Sequence, residues 1–339
     1  MDPQLTNRPC HGCPPRLNRR GLLLGTGIVG AAAIGYPLVR RVLTPPTPVF
    51  LAKNQRYDGP LAETIAKGLR AVGFDWHWVR GRKVLLKPNL VEPLAAAPQV
   101  ITHPNVVLAA ADVFRRWGAK VSVGEAPGNV RDTEMALAES GMGEALRGEK
   151  LPFSDLNYDE FRQTPNVGRC SRLTHFTFPA AVLDADLIVS MPKLKTHHWI
   201  GMTAAMKNLF GVLPGVVYGW PKNVLHYAGI PENVVDINAS LPRRIAIVDG
   251  IVCMEGDGPI LGTPKPLGLL AVGLNLTALD ATLARLMGFN PAKIPYLAMA
   301  DDRLGPIAEQ SIVERGEPWR ELASPFATLN EPHLQQMRQ

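Results

Sequence analysis

Between residues 47 and 128 the chain alternates short apolar runs with longer stretches of helical spacing, and this alternation constrains the fold more than any other feature. "TPVFLAKN" (47–54) reads as a strand, 60–72 as a helix closed by Gly73, and "KVLL" (83–86) as a buried strand. Over 104–117, apolar residues recur at 106, 107, 110, 113, 114 and 117, the spacing of one helix face. Pro104 suits the first helical position and Gly118 the stop. "KVSVGEAPG" (120–128) then reads as a strand. Strand, crossover helix and strand in that order are the signature of a parallel sheet, because parallel neighbours cannot be joined by a hairpin. Three further strands are expected at "DLIVSMP" (186–192), "RIAIVDG" (244–250) and "LGLLAVG" (267–273), and a helix over 277–287. The predicted fold is α/β: an open, parallel-dominated sheet with helices on both faces. An apolar content of 46% over 339 residues is enough to fill such a core.

The polar residues sort by position on these strands. Lys87 and Asn89 follow "VLL", Glu125 follows "VSVG", Lys193, Lys195, His197 and His198 follow "LIVSMP", and Asp249 follows "IAIV". Each cluster is expected at the carboxyl end of a strand, where open parallel sheets bind their ligands. Taken singly, any of these residues is an ordinary surface-loop residue; four segments converging on one edge indicate a shared crevice. His103, directly before Pro104, is expected to cap a helix whose backbone N–H groups favour anions.

The stretch "MPKLKTHHWIGMTAAMKNLFGVLPG" (191–215) is expected to form the wall of that crevice. Lys193 and Lys195, two apart in extended chain, point one way and Leu194 the other. A short helix is expected from Thr203 to Gly211, its first N–H groups facing an anion, with Lys207 and Asn208 on it. The binding set is therefore Lys87, Asn89, Lys193, Lys195, Thr203, Lys207 and Asn208, for a phosphate or a carboxylate. With the lysines treated as peripheral, truncating Lys195 or Lys207 should remove binding at little cost in stability. His197, His103, Asp249 and Glu125 are the acid–base candidates. Glu255 and Asp257 in "MEGDGP", together with His198, are the candidates for a divalent metal ion. The alternative is that lysines and carboxylates form a structural ion-pair network.

Residues 1–41 read as a targeting segment rather than as part of the fold. Arg19 and Arg20 stand directly before the uncharged run 21–39, with Leu22 and Leu23 after one glycine, which resembles a twin-arginine export signal. Nineteen residues at ~1.5 Å rise just span a ~30 Å bilayer. The translocation machinery is then one partner and the inner membrane, through 21–39, another. Retention as an anchor on the periplasmic side is expected over cleavage. A Pro-rich linker, 42–48, leads to the domain. Of the four cysteines, Cys10 and Cys13 form an isolated C-x-x-C, which does not complete a metal site, while spacing leaves the pairing of Cys170 and Cys253 open. The net charge of +6 suits an acidic ligand, but basic and aromatic residues are not interleaved as a nucleic-acid groove requires, so no nucleic acid is expected. No phosphate-binding loop, dinucleotide fingerprint or nucleophile elbow is present.

Taken in order, "VLLKPNLV", "THPNVV", "GEAPG", "MPKLKTH…MTAAMKNLFG", "VDGIVCMEGDGP" and "LTALDATLARLMG" resemble the bacterial and archaeal family called domain of unknown function 362. The resemblance covers about 49–291 and leaves 292–339 as a C-terminal extension. It implies signature roles for Lys87, Asn89, His103, Glu125, Lys193, Lys195, His197, Lys207, Asn208, Asp249, Gly250 and Asp280. It brings no settled activity. Many members carry a ferredoxin-like cluster domain; the cysteines here cannot supply one, so an iron–sulfur cofactor is not expected. Two functions remain: an enzyme of unread reaction on a small anion, or a non-catalytic accessory protein of a redox or metal-handling system.

Overall fold

The computed structural model describes residues 45–91, 97–128 and 132–338. Arg19, Arg20, the run 21–39, Cys10 and Cys13 lie outside the described residues. The fold is carried by one compact unit that begins at Pro46. Residues 292–339 belong to that same unit.

Twelve strands are present among the described residues: β1 (Thr47–Ala52), β2 (Lys83–Lys87), β3 (Lys120–Glu125), β4 (Phe153–Asp155), β5 (Phe161–Pro165), β6 (His175–Pro179), β7 (Leu187–Ser190), β8 (Lys193–His197), β9 (Gly201–Thr203), β10 (Arg244–Glu255), β11 (Thr263–Gly273) and β12 (Ile312–Gly316). The main sheet runs β12-β1-β11-β10-β7-β2-β3-β4, with β8 paired to β10 and to β9, while β5 and β6 form a separate ribbon. From β4 through β3, β2 and β7 to β10 every pairing is parallel. β11 runs against both β10 and β1, and β12 is parallel to β1. The fold is therefore mixed α/β with a largely parallel sheet, as the strand–helix alternation requires.

Period-2 alternation divides each central strand between two cores. Val84 and Leu86, Leu187 and Val189, and Ile245 and Ile247 face the helices Leu61–Ala71 and Pro104–Arg116. Leu85, Ile188, Ala246 and Val248 face the other layer, which includes the helices Ile230–Ser240 and Leu276–Leu286. Both sides of each strand are buried, so these strands read as continuous apolar runs.

Two elements depart from expectation. β10 does not stop at Gly250 but continues to Glu255, with its register shifting between Gly250 and Val252. Asp249 therefore sits within a strand, opposite Lys193 of β8, because β8 and β11 offer pairing beyond the predicted end. The helix expected over 203–211 is reduced to one turn, Ala205–Asn208, followed by a 3₁₀ turn, Leu209–Val212. Thr203 ends β9 and pairs with Lys195 instead of capping a helix. Among the described residues no helix is long and apolar enough to cross a membrane.

Candidate functional site

Beyond the carboxyl ends of β2, β3 and β7 lies a cavity of about 770 Å³. Lys87 closes β2 and Glu125 closes β3, which brings both side chains to its inner end. β8 adds His197 and Lys195 from one face, while Leu194, on the opposite face, joins the core. The turn Ala205–Asn208 adds Lys207 and Asn208. Asn89, Thr203, Phe210, Gly211, Lys222 and His226 complete the inner lining.

The floor is a network of buried polar groups. Lys87 Nζ forms an ion pair with Glu125 Oε2, and both side chains are enclosed. The same ammonium donates to Pro88 O at 2.8 Å and Asn208 Oδ1 at 3.2 Å. Asn208 in turn donates to Lys87 O at 3.0 Å and Ser190 Oγ at 3.1 Å, so it locks the end of β2 to β7. Lys195 Nζ donates to Asn89 Oδ1 at 2.9 Å and Val100 O at 2.8 Å. Lys222 Nζ donates to Ala126 O at 2.9 Å and Leu213 O at 2.6 Å. Lys207 Nζ has no hydrogen-bonding oxygen among the described residues and rests over the Phe210 ring, 4.2 Å from its centroid.

Burial and crowding of like charge set the protonation of these groups. Burial, helped by Lys87 and opposed by Glu125, brings Lys207 down to about 8. Burial brings Lys222 down to about 7, with Glu125 resisting and Lys87 and Lys207 assisting. Burial and the neighbouring lysines hold Lys195 well below its ordinary value. His197 is pushed well below the usual imidazole range by burial and then by Lys207, and His226 falls to about 4 for the same two reasons. Burial raises the Glu125 carboxyl even though Lys87, Lys222 and Lys195 pull it down.

The other expected site residues fall elsewhere. Lys193 Nζ pairs with Asp249 Oδ2 at 2.6 Å, both side chains being fully buried, and donates to Tyr57 Oη at 2.8 Å. Asp249 also accepts from the Tyr57 hydroxyl at 3.2 Å and the His103 backbone N–H at 2.9 Å. His103 caps Pro104–Arg116 as expected, its Nδ1 accepting from Asn105 N at 3.2 Å, and its ring stacks on Tyr57 at 3.8 Å. Lys193, Asp249 and His103 do not line the cavity; they form a closed cluster that ties β8, β10 and the helix start together. The extension of β10 is the physical reason. Glu255 also lies outside the cavity, held by Lys265 at 3.0 Å and the Ala327 N–H at 2.9 Å. His198 and Asp257 line the mouth but contact each other, at 3.3 Å. Among the described residues no group of three or more His, Cys, Asp or Glu side chains is placed to hold a metal ion.

Nor do the first N–H groups of Ala205–Asn208 face the cavity as expected: Ala205 N and Met206 N donate to Asp280 at 2.8 and 3.0 Å. Burial raises the Asp280 carboxyl to about 7 against the pull of those two bonds. Lys195 is fully enclosed, so its truncation is not the mild surface change expected from sequence. Cys170 and Cys253 are unpaired thiols.

Lys222 and His226 were not legible in the sequence. Both follow "VYGWP", which reads as a loop without periodicity. Gly211 reads as a helix stop, yet its role is spatial: a Cβ there would lie 2.5 Å from Lys87 Nζ and 2.7 Å from Glu125 Oε1.

A family model described as Domain of unknown function (DUF362) matches residues 84–285, well over half of the chain and all of the inner lining. The chain belongs to the DUF362 family. A relative, "Thylakoid-associated protein sll1697" of Synechocystis sp. (strain ATCC 27184 / PCC 6803 / Kazusa), is 32% identical over 267 residues, 76% of this chain and 79% of its own. Among solved structures, the lactate racemase apoprotein from Thermoanaerobacterium thermosaccharolyticum is similar at 14% identity and a TM-score of 0.42, over 71% of this chain. The match spans 56% of that structure's chain. Of the positions that the resemblance singled out, Lys87, Asn89, Glu125, Lys195, His197, Lys207 and Asn208 line the cavity, His103, Lys193, Asp249 and Asp280 brace the elements around it, and Gly250 lies within β10 opposite Leu269 of β11.

Proposed function

We propose that the domain binds a small anion, a phosphate or a carboxylate, in this cavity, and that it is an enzyme moving a proton on the bound anion. One observation carries the reading: Lys87, Lys195, Lys207 and Lys222 line a single cavity in which, among the described residues, the one buried carboxylate is Glu125. An interior with such an excess of ammonium groups either sheds protons or recruits an anion to neutralise them. Asp257 and Glu331 stand at the mouth and do not balance the floor.

The acid–base reading draws on Lys207 at about 8 and Lys222 at about 7, both poised to gain or lose a proton near neutrality. His197, held neutral with its Nδ1 accepting from the Trp199 N–H at 3.2 Å, is left with Nε2–H to donate a hydrogen bond to the anion. Glu125 positions Lys87. The chain is further proposed to be exported by the twin-arginine route and held at the membrane by 21–39, on the support of Arg19, Arg20 and the apolar run after them.

The test is native mass spectrometry of the full-length chain and of Lys207→Met. Methionine matches the length of the lysine stem, and no described hydrogen bond is lost. A retained anion in the wild type that disappears in Lys207→Met supports the reading. No retained anion, and no stabilisation by millimolar phosphate or carboxylates, overturns it in favour of a structural lysine network.

A further inference from the structure

The cavity changes character from its inner end to its mouth. Lys87, Lys195, Lys222 and Glu125 are all buried. At the other end Trp199 is 53% and Leu261 78% exposed, with Ile260, Pro221 and Leu329 beside them on the lining. Phe210 and His226, stacked at 5.9 Å, belong to the wall. Large apolar side chains left exposed around a cavity need a reason, since water gains nothing from them. The volume, about 770 Å³, is that of a pocket for a whole organic molecule. An inorganic ion would occupy only the inner end.

Resting on the anion reading above, we infer that the natural ligand is an amphiphilic phosphate monoester, with its dianionic head among the lysines and an apolar tail along Phe210 toward Trp199 and Leu261. The head group follows from charge. Among the described residues, four lysines less the one buried carboxylate leave three cationic groups at full protonation, which a dianion balances better than a monocarboxylate. The lowered values of Lys207 and Lys222 set the consequence of binding: a bound dianion favours their charged forms, so protons are taken up as it enters. The tail follows from the mouth. The side chains of Pro221, Ile260 and Leu261 offer no hydrogen-bond donor to a polar substituent, and burying them against methylene groups is favourable. The polar groups at the mouth are already engaged or face solvent: His198 contacts Asp257, and His333 Nε2 lies 2.7 Å from the His198 carbonyl oxygen.

The experiment is a calorimetric and thermal-shift series on the full-length chain, with inorganic phosphate, n-alkyl phosphates from methyl to hexyl, and the matching n-alkyl carboxylates. Affinity for the alkyl phosphates is expected to rise about fourfold per methylene buried, and to exceed that of carboxylates of equal chain length. Leu261→Ser, an exposed position that does not threaten folding, should flatten this dependence on chain length. Titration at pH 8 in buffers of different ionisation enthalpy should show net proton uptake. Phosphate binding without dependence on chain length overturns the tail and leaves the anion reading intact. Carboxylates that bind as tightly as phosphates overturn the head group. Failure of every anion in the series overturns the anion reading itself.

Discussion

Gly211→Ala tests the inner end of the cavity with a single methyl group. The Cβ would stand 2.5 Å from Lys87 Nζ, 2.9 Å from Lys87 Cε and 2.7 Å from Glu125 Oε1, where ordinary contact begins at 3.4 Å. The ammonium must therefore yield by 3.4 − 2.5 = 0.9 Å. It cannot do so freely, because Pro88 O at 2.8 Å and Asn208 Oδ1 at 3.2 Å hold it. Overpacking of this kind costs about 1–3 kcal/mol, rising toward about 5 kcal/mol where the buried ion pair parts. At about 2–4 °C per kcal/mol, a 2 kcal/mol loss lowers Tm by roughly 4–8 °C. The assay is thermal and urea unfolding followed by circular dichroism, with phosphate affinity measured in parallel. Gly148→Ala is the control: nothing lies within 4 Å of its Cβ, so stability should hold or rise by up to about 1 kcal/mol. A Gly211→Ala protein that melts with the wild type and binds phosphate equally well would refute the geometry derived for Lys87 and Glu125.

Three further outcomes are expected. With no anion added, the urea midpoint should rise from pH 7 to pH 8.5. Lys222 at about 7 and Lys207 at about 8 hold fewer protons folded than unfolded there, so their burial penalty is relieved as pH rises. Phosphate affinity should fall over the same interval as the ammonium groups lose charge, and Lys222→Met should flatten the stability trend; a midpoint that falls with pH would contradict this. Above that interval the buried Tyr57 and Cys253 acids, both raised by burial, act in the opposite sense. Asp249→Ala should cost about 3–5 kcal/mol by leaving Lys193 buried without its partner, whereas Lys193→Met with Asp249→Leu should recover most of that, as chemical denaturation would measure. Replacing Arg19 and Arg20 by Lys should keep the protein in the cytoplasm, and unchanged export on cell fractionation would refute the signal reading.

Sequence alone determined the alternation of strand and helix, the parallel sheet, and the edge at which charge collects. These are local properties: apolar runs, Pro and Gly punctuation, and polar residues directly after a strand. Lys87 and Glu125 were legible because each closes its own strand. The remainder rested on pairing between distant segments. Asp249 and Lys193 look like site residues until β8 and β11 extend β10 past Gly250 and enclose both. The N–H groups of Ala205 and Met206 look available to a ligand until Asp280, more than seventy residues along the chain, takes them. Lys222 and His226 sit in a segment without periodicity and reach the cavity only because the chain folds back over its open side. Residue type and spacing report which groups are charged and which face of an element they share. Burial, and with it the protonation of each lysine, depends on what the rest of the chain packs around them, and only the tertiary structure decides that.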